Sequence, residues 1–172
     1  MDYFNGFPNY RRNTFQTITG RITEMQPLRT DGGECSQLVT IEGMNGEEVG
    51  FVISPNTYIA DFVTLYVGME AHFVYNADLP VPLIYPPRYT AVAVVSTISA
   101  TNVMVGFFNN RLVSADNTLQ LNVTEDVPVV TSNNQIYTGS LARHYLLVMY
   151  GATTRSIPPQ TTPERIVVMC EW

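Results

Sequence analysis

Residues 38–53 read Leu38-Val-Thr-Ile-Glu-Gly-Met-Asn-Gly-Glu-Glu-Val-Gly-Phe-Val-Ile53. Leu38–Glu42 and Val49–Ile53 are short runs rich in aliphatic and β-branched residues on either side of Asn45-Gly46. Asn-Gly is the dipeptide best suited to a type I′ turn, because both positions tolerate positive φ, so the stretch predicts a tight antiparallel hairpin. The same pattern spreads outward. Thr17–Met25, Ala71–Tyr75, Tyr89–Val95, Val103–Phe108, Leu119–Val123, Gln135–Tyr137, Leu146–Tyr150 and Arg165–Met169 are further strand candidates. Most are short, rich in Val, Ile, Thr, Tyr or Phe, and bounded by Gly, Pro, Asn or Asp. No window of about twelve residues shows helical periodicity, and the best helical candidates are the short Ile59–Leu65 and Gly139–His144. Strands at this spacing with no helices between them predict an all-β protein, an antiparallel barrel or sandwich.

The chain also repeats a pattern. His72-Phe-Val-Tyr-Asn is followed by a proline-rich stretch, Pro86-Pro87 and the apolar run Ala91–Val95. Leu146-Leu-Val-Met-Tyr-Gly151 is followed by a polar stretch, Pro158-Pro159 and the apolar run Ile166–Met169. Seven of the 11 prolines fall in these two segments. Each tyrosine at a strand end, Tyr75 and Tyr150, thus opens a wide loop that closes on Pro-Pro and returns as a strand. This predicts two duplicated small antiparallel halves with long proline-rich loops. The first spans 15–97 and a shorter second spans 98–172, behind an aromatic N-terminal arm at 1–14 carrying Tyr3, Phe4, Phe7 and Tyr10.

Composition narrows the function. The 172 residues carry nine arginines and no lysine against 15 carboxylates, for a net charge of −6. The absence of lysine removes Schiff-base chemistry and any Walker or kinase-type lysine. Nine scattered arginines form no stripe able to neutralise phosphates, which argues against nucleic acid although aromatics such as Tyr85, Tyr89, Phe107 and Phe108 are present. Tyr89 to Asn110 carries no charge. It is long enough to span a bilayer, but its scattered Ser, Thr and Asn and its β-branched residues fit two buried strands joined by a turn near Ser96–Asn102. No membrane insertion is expected. The first residues have their acid early and their arginines late, the reverse of a signal peptide, so a cytoplasmic location is expected. Cys35 and Cys170 make no disulfide framework or Cys-x-x-Cys site, and are expected as buried or idle thiols.

The order Ile18-Thr-Gly-Arg-Ile-Thr-Glu-Met, the Asn-Gly hairpin, Phe51-Val-Ile-Ser-Pro-Asn-Thr-Tyr-Ile, then Leu65-Tyr-Val-Gly-Met-Glu-Ala-His-Phe resembles uncharacterised small OB-like barrel domains of Gram-positive bacteria. Tyr150-Gly-Ala-Thr-Thr-Arg-Ser-Ile-Pro-Pro-Gln-Thr-Thr-Pro163 is similar to the stretch that closes such domains. The resemblance covers most of residues 15–170 and implies an OB-like fold in each half, with no activity attached to any residue. In some of those proteins the barrel lies beside a cell-surface stalk; neither that stalk nor a signal peptide is expected in this chain.

Catalytic constellations are thin. Arg143-His144 resembles a general acid with an anion clamp, but His72 also sits ahead of its own strand, which makes a structural role the simpler one. Two histidines in separate halves make no metal site, and Asp31-Gly-Gly-Glu34 with Glu47-Glu48 lacks the alternating spacing of a calcium loop. Ser156 beside Arg155 has no nucleophile elbow. No metal or cofactor is expected, and a non-catalytic binding or structural module is preferred. The alternative is a carbohydrate- or peptide-directed hydrolase using Asp61, Asp78 or Glu164 with Arg155.

The proline loops Asp78–Tyr89 and Ala152–Pro163 are the sharpest candidates for a contact surface. Prolines lose little entropy on ordering, and Tyr and Arg are enriched at interface hot spots. Tyr85, Arg88, Tyr89, Arg155 and Gln160 are the expected ligand- or partner-binding residues. Uncovered Leu79, Val81, Leu83 and Ile84 would call for a second subunit, so a homo-oligomer is expected, with a protein or carbohydrate as possible ligand. The opposing expectation is that the loops fold back and plug their own barrels.

Overall fold

The computed structural model describes residues 13–30 and 32–172, and every regular element in them except one 3-10 turn is a strand. The arm residues Tyr3, Phe4, Phe7 and Tyr10, and Asp31 of the acidic run, lie outside the described residues. β1 (Phe15–Thr30), β2 (Gly33–Gly43), β3 (Glu48–Ile53), β4 (Tyr58–Ile59), β5 (Glu70–Asn76) and β6 (Arg88–Ser96) form one sheet in the order β3-β2-β1-β5-β6-β4. Its spine is β1, long enough to serve two partners: Phe15–Arg21 pair with β5, and Gly20–Thr30 with β2. Gly20 sits where the partners change, opposite both Gly43 and Ala71. A β-carbon there would lie 2.5 Å from the Glu42 carbonyl oxygen, so only glycine allows the strands to approach. A register irregularity between Ile22 and Glu24 bends the strand further. β3 also pairs in parallel with β6, Gly50 opposite Arg88 through Val52 opposite Thr90, and so links the two ends of the β3-β2-β1-β5-β6 series.

The Asn-Gly hairpin joins β2 to β3, but not through a type I′ turn. The Gly46 N–H donates to the Gly43 carbonyl (3.0 Å), and the Gly43 N–H donates to the Glu47 carbonyl (2.8 Å). Gly46, not Asn45, carries the positive φ, at 80°. The connection is a three-residue loop in which one left-handed glycine suffices, and Glu47 Oε2 accepts the Asn45 N–H at 2.9 Å.

Beyond Ser96 the strands are β7 (Asn102–Phe108), β8 (Gln120–Leu121), β9 (Val129–Thr131), β10 (His144–Tyr150), β11 (Gln160–Thr161) and β12 (Arg165–Val168). β7, β10 and β12 pair antiparallel in that order, and β12 pairs in parallel with β9. β8 and β11 form a separate parallel pair. The region is more loop-rich than its sequence predicts. Gln135–Tyr137 contributes only the bridge of Ile136 to Val130, while β9 lies just upstream of it. Ile59–Leu65 yields a single 3-10 turn at Ala60–Phe62. Gly139–His144 is not helical: Arg143 has φ 63° and His144 already begins β10.

Packing explains the unbroken apolar runs. Ile22, Val39, Ile41, Phe51, Phe73 and Val94 form one core against the first sheet. Phe108, Leu121, Leu146, Val148, Ile166 and Val168 form another in the second half. Between them, Val74, Ala93 and Val95 of β5 and β6 pack in one cluster with Val105, Leu147 and Val167 of β7, β10 and β12. Successive residues of a strand point to opposite faces, so β5, β6, β10 and β12 are buried on both sides. Such strands read as continuous hydrophobic runs rather than alternating ones. In β6 an irregularity at the Val74–Tyr75 pairing sets Ala91 and Val94 on the first core and Ala93 and Val95 on the shared one. The uncharged Tyr89–Asn110 stretch is therefore β6, a turn carrying buried Ala100, and β7, all against the shared cluster.

Cys35 and Cys170 are free but exposed, not buried. Cys35 lies toward the outer end of the β1–β2 hairpin, which extends past the core, and Cys170 follows β12 in the final turn. No helix among the described residues is long and apolar enough to cross a membrane.

Leu147 is fully buried in the shared cluster, whereas Ile98 in the β6–β7 turn is 92% exposed. Leu147→Ala is expected to cost about 2–5 kcal/mol in denaturant unfolding, and Ile98→Ala no more than about 0.5 kcal/mol. Equal effects would mean that the shared cluster does not carry the fold.

Candidate functional site

The first proline loop is fastened at both ends and free in the middle. At its start, Asp78 Oδ2 accepts the Thr14 N–H at 2.6 Å, and the Asp78 N–H donates to Asn76 Oδ1 at 3.0 Å. At its end, the Gly50 N–H donates to the Pro87 carbonyl at 2.8 Å, after a cis Tyr85–Pro86 bond. Between these anchors Leu79, Val81, Leu83, Ile84 and Tyr85 are exposed, Tyr85 by 85%. The loop does not fold back as a plug. Arg88 is half-buried at the start of β6 and makes no ion pair or side-chain hydrogen bond among the described residues. Tyr89 is also half-buried and packs against the first core. Its ring stacks on Tyr75 with centroids 4.1 Å apart and lies 5.9 Å from Phe51, which stacks on Phe73 at 4.9 Å. Burial, and then the neighbouring Tyr89 phenol, push the Tyr75 hydroxyl above the ordinary tyrosine range.

The second loop is tied more tightly. Gln160 Oε1 accepts from Asn122 Nδ2 at 3.1 Å, the Gln160 N–H donates to Thr154 Oγ1 at 3.0 Å, and its carbonyl accepts the Thr154 N–H at 2.8 Å. Gln160 thus holds β8, β11 and the loop together. Ser156 Oγ donates to the Pro158 carbonyl at 2.9 Å and shares a 2.6 Å hydrogen bond with Thr154 Oγ1, which makes it a loop fastener. Arg155 and Ile157 are exposed, Ile157 just before a second cis bond to Pro158. The five residues singled out by sequence thus divide. Tyr85 and Arg155 stand in solvent, Arg88 is at the surface without a partner, and Tyr89 and Gln160 are engaged within the fold. No hydrogen bond, ion pair or ring contact links one loop's residues to the other's.

Both histidines are committed to the fold. His72 is buried, its Nε2 2.9 Å from the Ala100 carbonyl and its Nδ1 2.7 Å from Thr19 Oγ1. A carbonyl only accepts, so Nε2 carries a proton and, in the neutral ring, Nδ1 accepts from the threonine. His144 likewise uses Nδ1 on the Ala142 carbonyl at 2.9 Å, with the Tyr137 ring edge-on at 6.0 Å. Of the carboxylates considered for hydrolysis, Asp78 caps the first loop, Glu164 is exposed, and Asp61 is ion-paired. Glu34 faces Arg29 at 3.9 Å in an exposed pair.

The Asp61 pair had no signature in the sequence, since its partner lies 104 residues away. Arg165 on β12 grips Asp61 with both terminal nitrogens, at 2.8 and 3.2 Å, and Ser99 Oγ adds a third bond at 3.1 Å. The guanidinium also rests on Met149 Sδ. The pair ties the 3-10 turn after β4 to the second half. The Arg165 hydrogen bonds, helped by its charge and by Ser99 and opposed by burial, hold the Asp61 carboxyl below the usual aspartate range. Burial raises the adjacent Tyr58 phenol.

A carboxyl whose folded pKa is lowered adds stability in full above its unfolded value, near 3.8, and loses it as pH falls through the folded value. Asp61→Asn is therefore expected to destabilise the protein at pH 6, by no more than about 1 kcal/mol because the pair is partly exposed. That difference should shrink toward zero as unfolding is followed down through pH 3. A gap constant with pH would show that the charge contributes nothing.

No protein-family model, curated protein or solved structure matches the chain.

Proposed function

We propose that the protein is a non-catalytic binding or structural module that assembles with copies of itself through its first proline loop, on a scaffold of two OB-like halves. The pairing order supports that scaffold. Three antiparallel strands β1-β2-β3, a long bent β1 shared with β5, and a parallel β3–β6 contact are the arrangement expected of a small five-stranded Greek-key barrel. The second half follows the same scheme without a counterpart of β2. β7 pairs with β10 as β1 does with β5, β10 with β12 as β5 with β6, and β12 with β9 in parallel as β6 with β3. In place of the missing strand stand the single bridges of Phe108 to Ser114 and Val113 to Gln120. Tyr150 ends β10, and Tyr75 stands one residue before the end of the corresponding strand β5. This favours a duplication whose second copy is an incomplete barrel, in line with the resemblance to small OB-like domains of Gram-positive bacteria.

The observation that carries the function is the exposed apolar row Leu79, Val81, Leu83, Ile84 and Tyr85 on a loop stiffened by prolines and anchored at both ends. Ordering such a loop at an interface costs little entropy, and a contiguous apolar row on a sparsely charged surface marks a contact site. A second copy fits because the chain supplies its own charge complement: Arg88 and Arg155 make no ion pair among the described residues, and carboxylates outnumber arginines. Arginine offers a planar fork to a carboxylate at all accessible pH. Tyr89 and Gln160, engaged with neighbours in the fold, hold their loops in shape.

Leu83→Asp and Tyr85→Ala are expected to lower the assembly state seen by analytical ultracentrifugation, with Arg88→Ala weakening it less. Unfolding of the separated subunits should stay close to that of the parent monomer. A parent protein that is monomeric at micromolar concentration, or variants that lose stability with assembly unchanged, would defeat this reading.

A further inference from the structure

The seam between the halves opens beside the 3-10 turn into a cleft of about 530 Å3, within the range that holds small ligands. It shares no residue with the proline loops. Tyr58 and Phe62 line it from the first half and Trp172 from the second, with Asn56, Ser132 and Glu171 as polar groups. Phe62 is the anomaly. It has φ 53°, follows Asp61 at φ 59°, and leaves its side chain 76% exposed. A bulky residue in the left-handed region is strained. The preceding Asp61 is held by Arg165 and Ser99, yet the Phe62 ring recovers little burial. Trp172 is braced differently, with its indole stacked on Phe15 at 5.1 Å.

Charge and spacing define what fits. Glu171 is the one carboxylate of the lining, and the nearby Arg165 is spent on Asp61, so nothing in the cleft attracts a phosphate or an acidic sugar. Among the described residues no ring contact joins Tyr58, Phe62 and Trp172, so each offers the cleft its own surface. Separated aromatic rings with an amide, a hydroxyl and a carboxylate between them suit a flat ligand that has apolar faces and a polar rim. We propose that this cleft binds a neutral saccharide of equatorial hexopyranose units, its C–H faces on Phe62, Tyr58 and Trp172 and its hydroxyls on Asn56, Ser132 and Glu171.

Two reporters are built in. Trp172 is the sole tryptophan, and the cleft is lined by exposed Cys170, while exposed Cys35 lies in a different groove and serves as an internal control. Titration of the full chain with cellotetraose or N-acetylchitotetraose is expected to change tryptophan fluorescence saturably with at least one of them. The same sugar should slow the reaction of Cys170, but not Cys35, with Ellman's reagent. Phe62→Ala should weaken binding by about tenfold or more without lowering the melting temperature, and Phe62→Tyr should retain it. No saturation by either sugar up to about 10 mM, weaker than a specific site, would overturn the proposal. So would binding indifferent to Phe62→Ala, or equal binding of oligogalacturonate or tetramethylammonium.

Discussion

The fold depends on one layer of side chains that belongs to both halves. β5 and β6 send Phe73 and Val94 into the first core while Val74, Ala93 and Val95 face away from it. β10 and β12 do the same in mirror fashion, with Leu146, Val148 and Ile166 on one side and Leu147, Met149 and Val167 on the other. A strand buried on both faces has no solvent side to accept polar residues. Removing either half would therefore expose a sheet face made of Val, Ala, Leu and Met. The loop-rich second half is tolerable for the same reason, because the first half supplies a surface it packs on.

Polar and aromatic fasteners surround this layer and orient it. His72 reaches the Ala100 carbonyl across the β6–β7 turn, Arg165 grips Asp61, and Phe15 lies between Tyr145 and Trp172 at 5.7 and 5.1 Å. Each satisfies a group that burial would otherwise leave unpaired, or fixes an angle that apolar packing leaves loose. Two exposed segments are fastened at their edges: the proline loop, bonded at Thr14 and Gly50, and the turn before Phe62, bonded through Asp61 to Arg165.

Local patterns were readable where the signal is local. The strands around Leu38–Ile53, Ala71–Val95, Val103–Phe108 and Leu146–Met169 were legible from residue type and from the turn residues bounding them. Leu119–Val123 held the short β8, whereas the two-residue strands β4 and β11 were silent, since their pairing is set by distant partners and not by their own composition. Ile59–Leu65 has a helical short-range pattern, but Asp61 and Phe62 lie in the left-handed region and Asp61 is bonded to an arginine about a hundred residues downstream. In the candidate site, the exposure of Leu83 and Tyr85 follows from prolines that keep the loop off the sheet. The withdrawal of Tyr89 and Gln160 depends on Tyr75, Phe51 and Asn122, neighbours that only the folded chain provides.

Differential scanning calorimetry tests the shared layer most directly. If both halves stand on one core, they unfold together, giving a single transition whose calorimetric and van't Hoff enthalpies agree. Two resolved transitions, or a calorimetric enthalpy well above the van't Hoff value, would show that each half holds its own structure and would contradict the account.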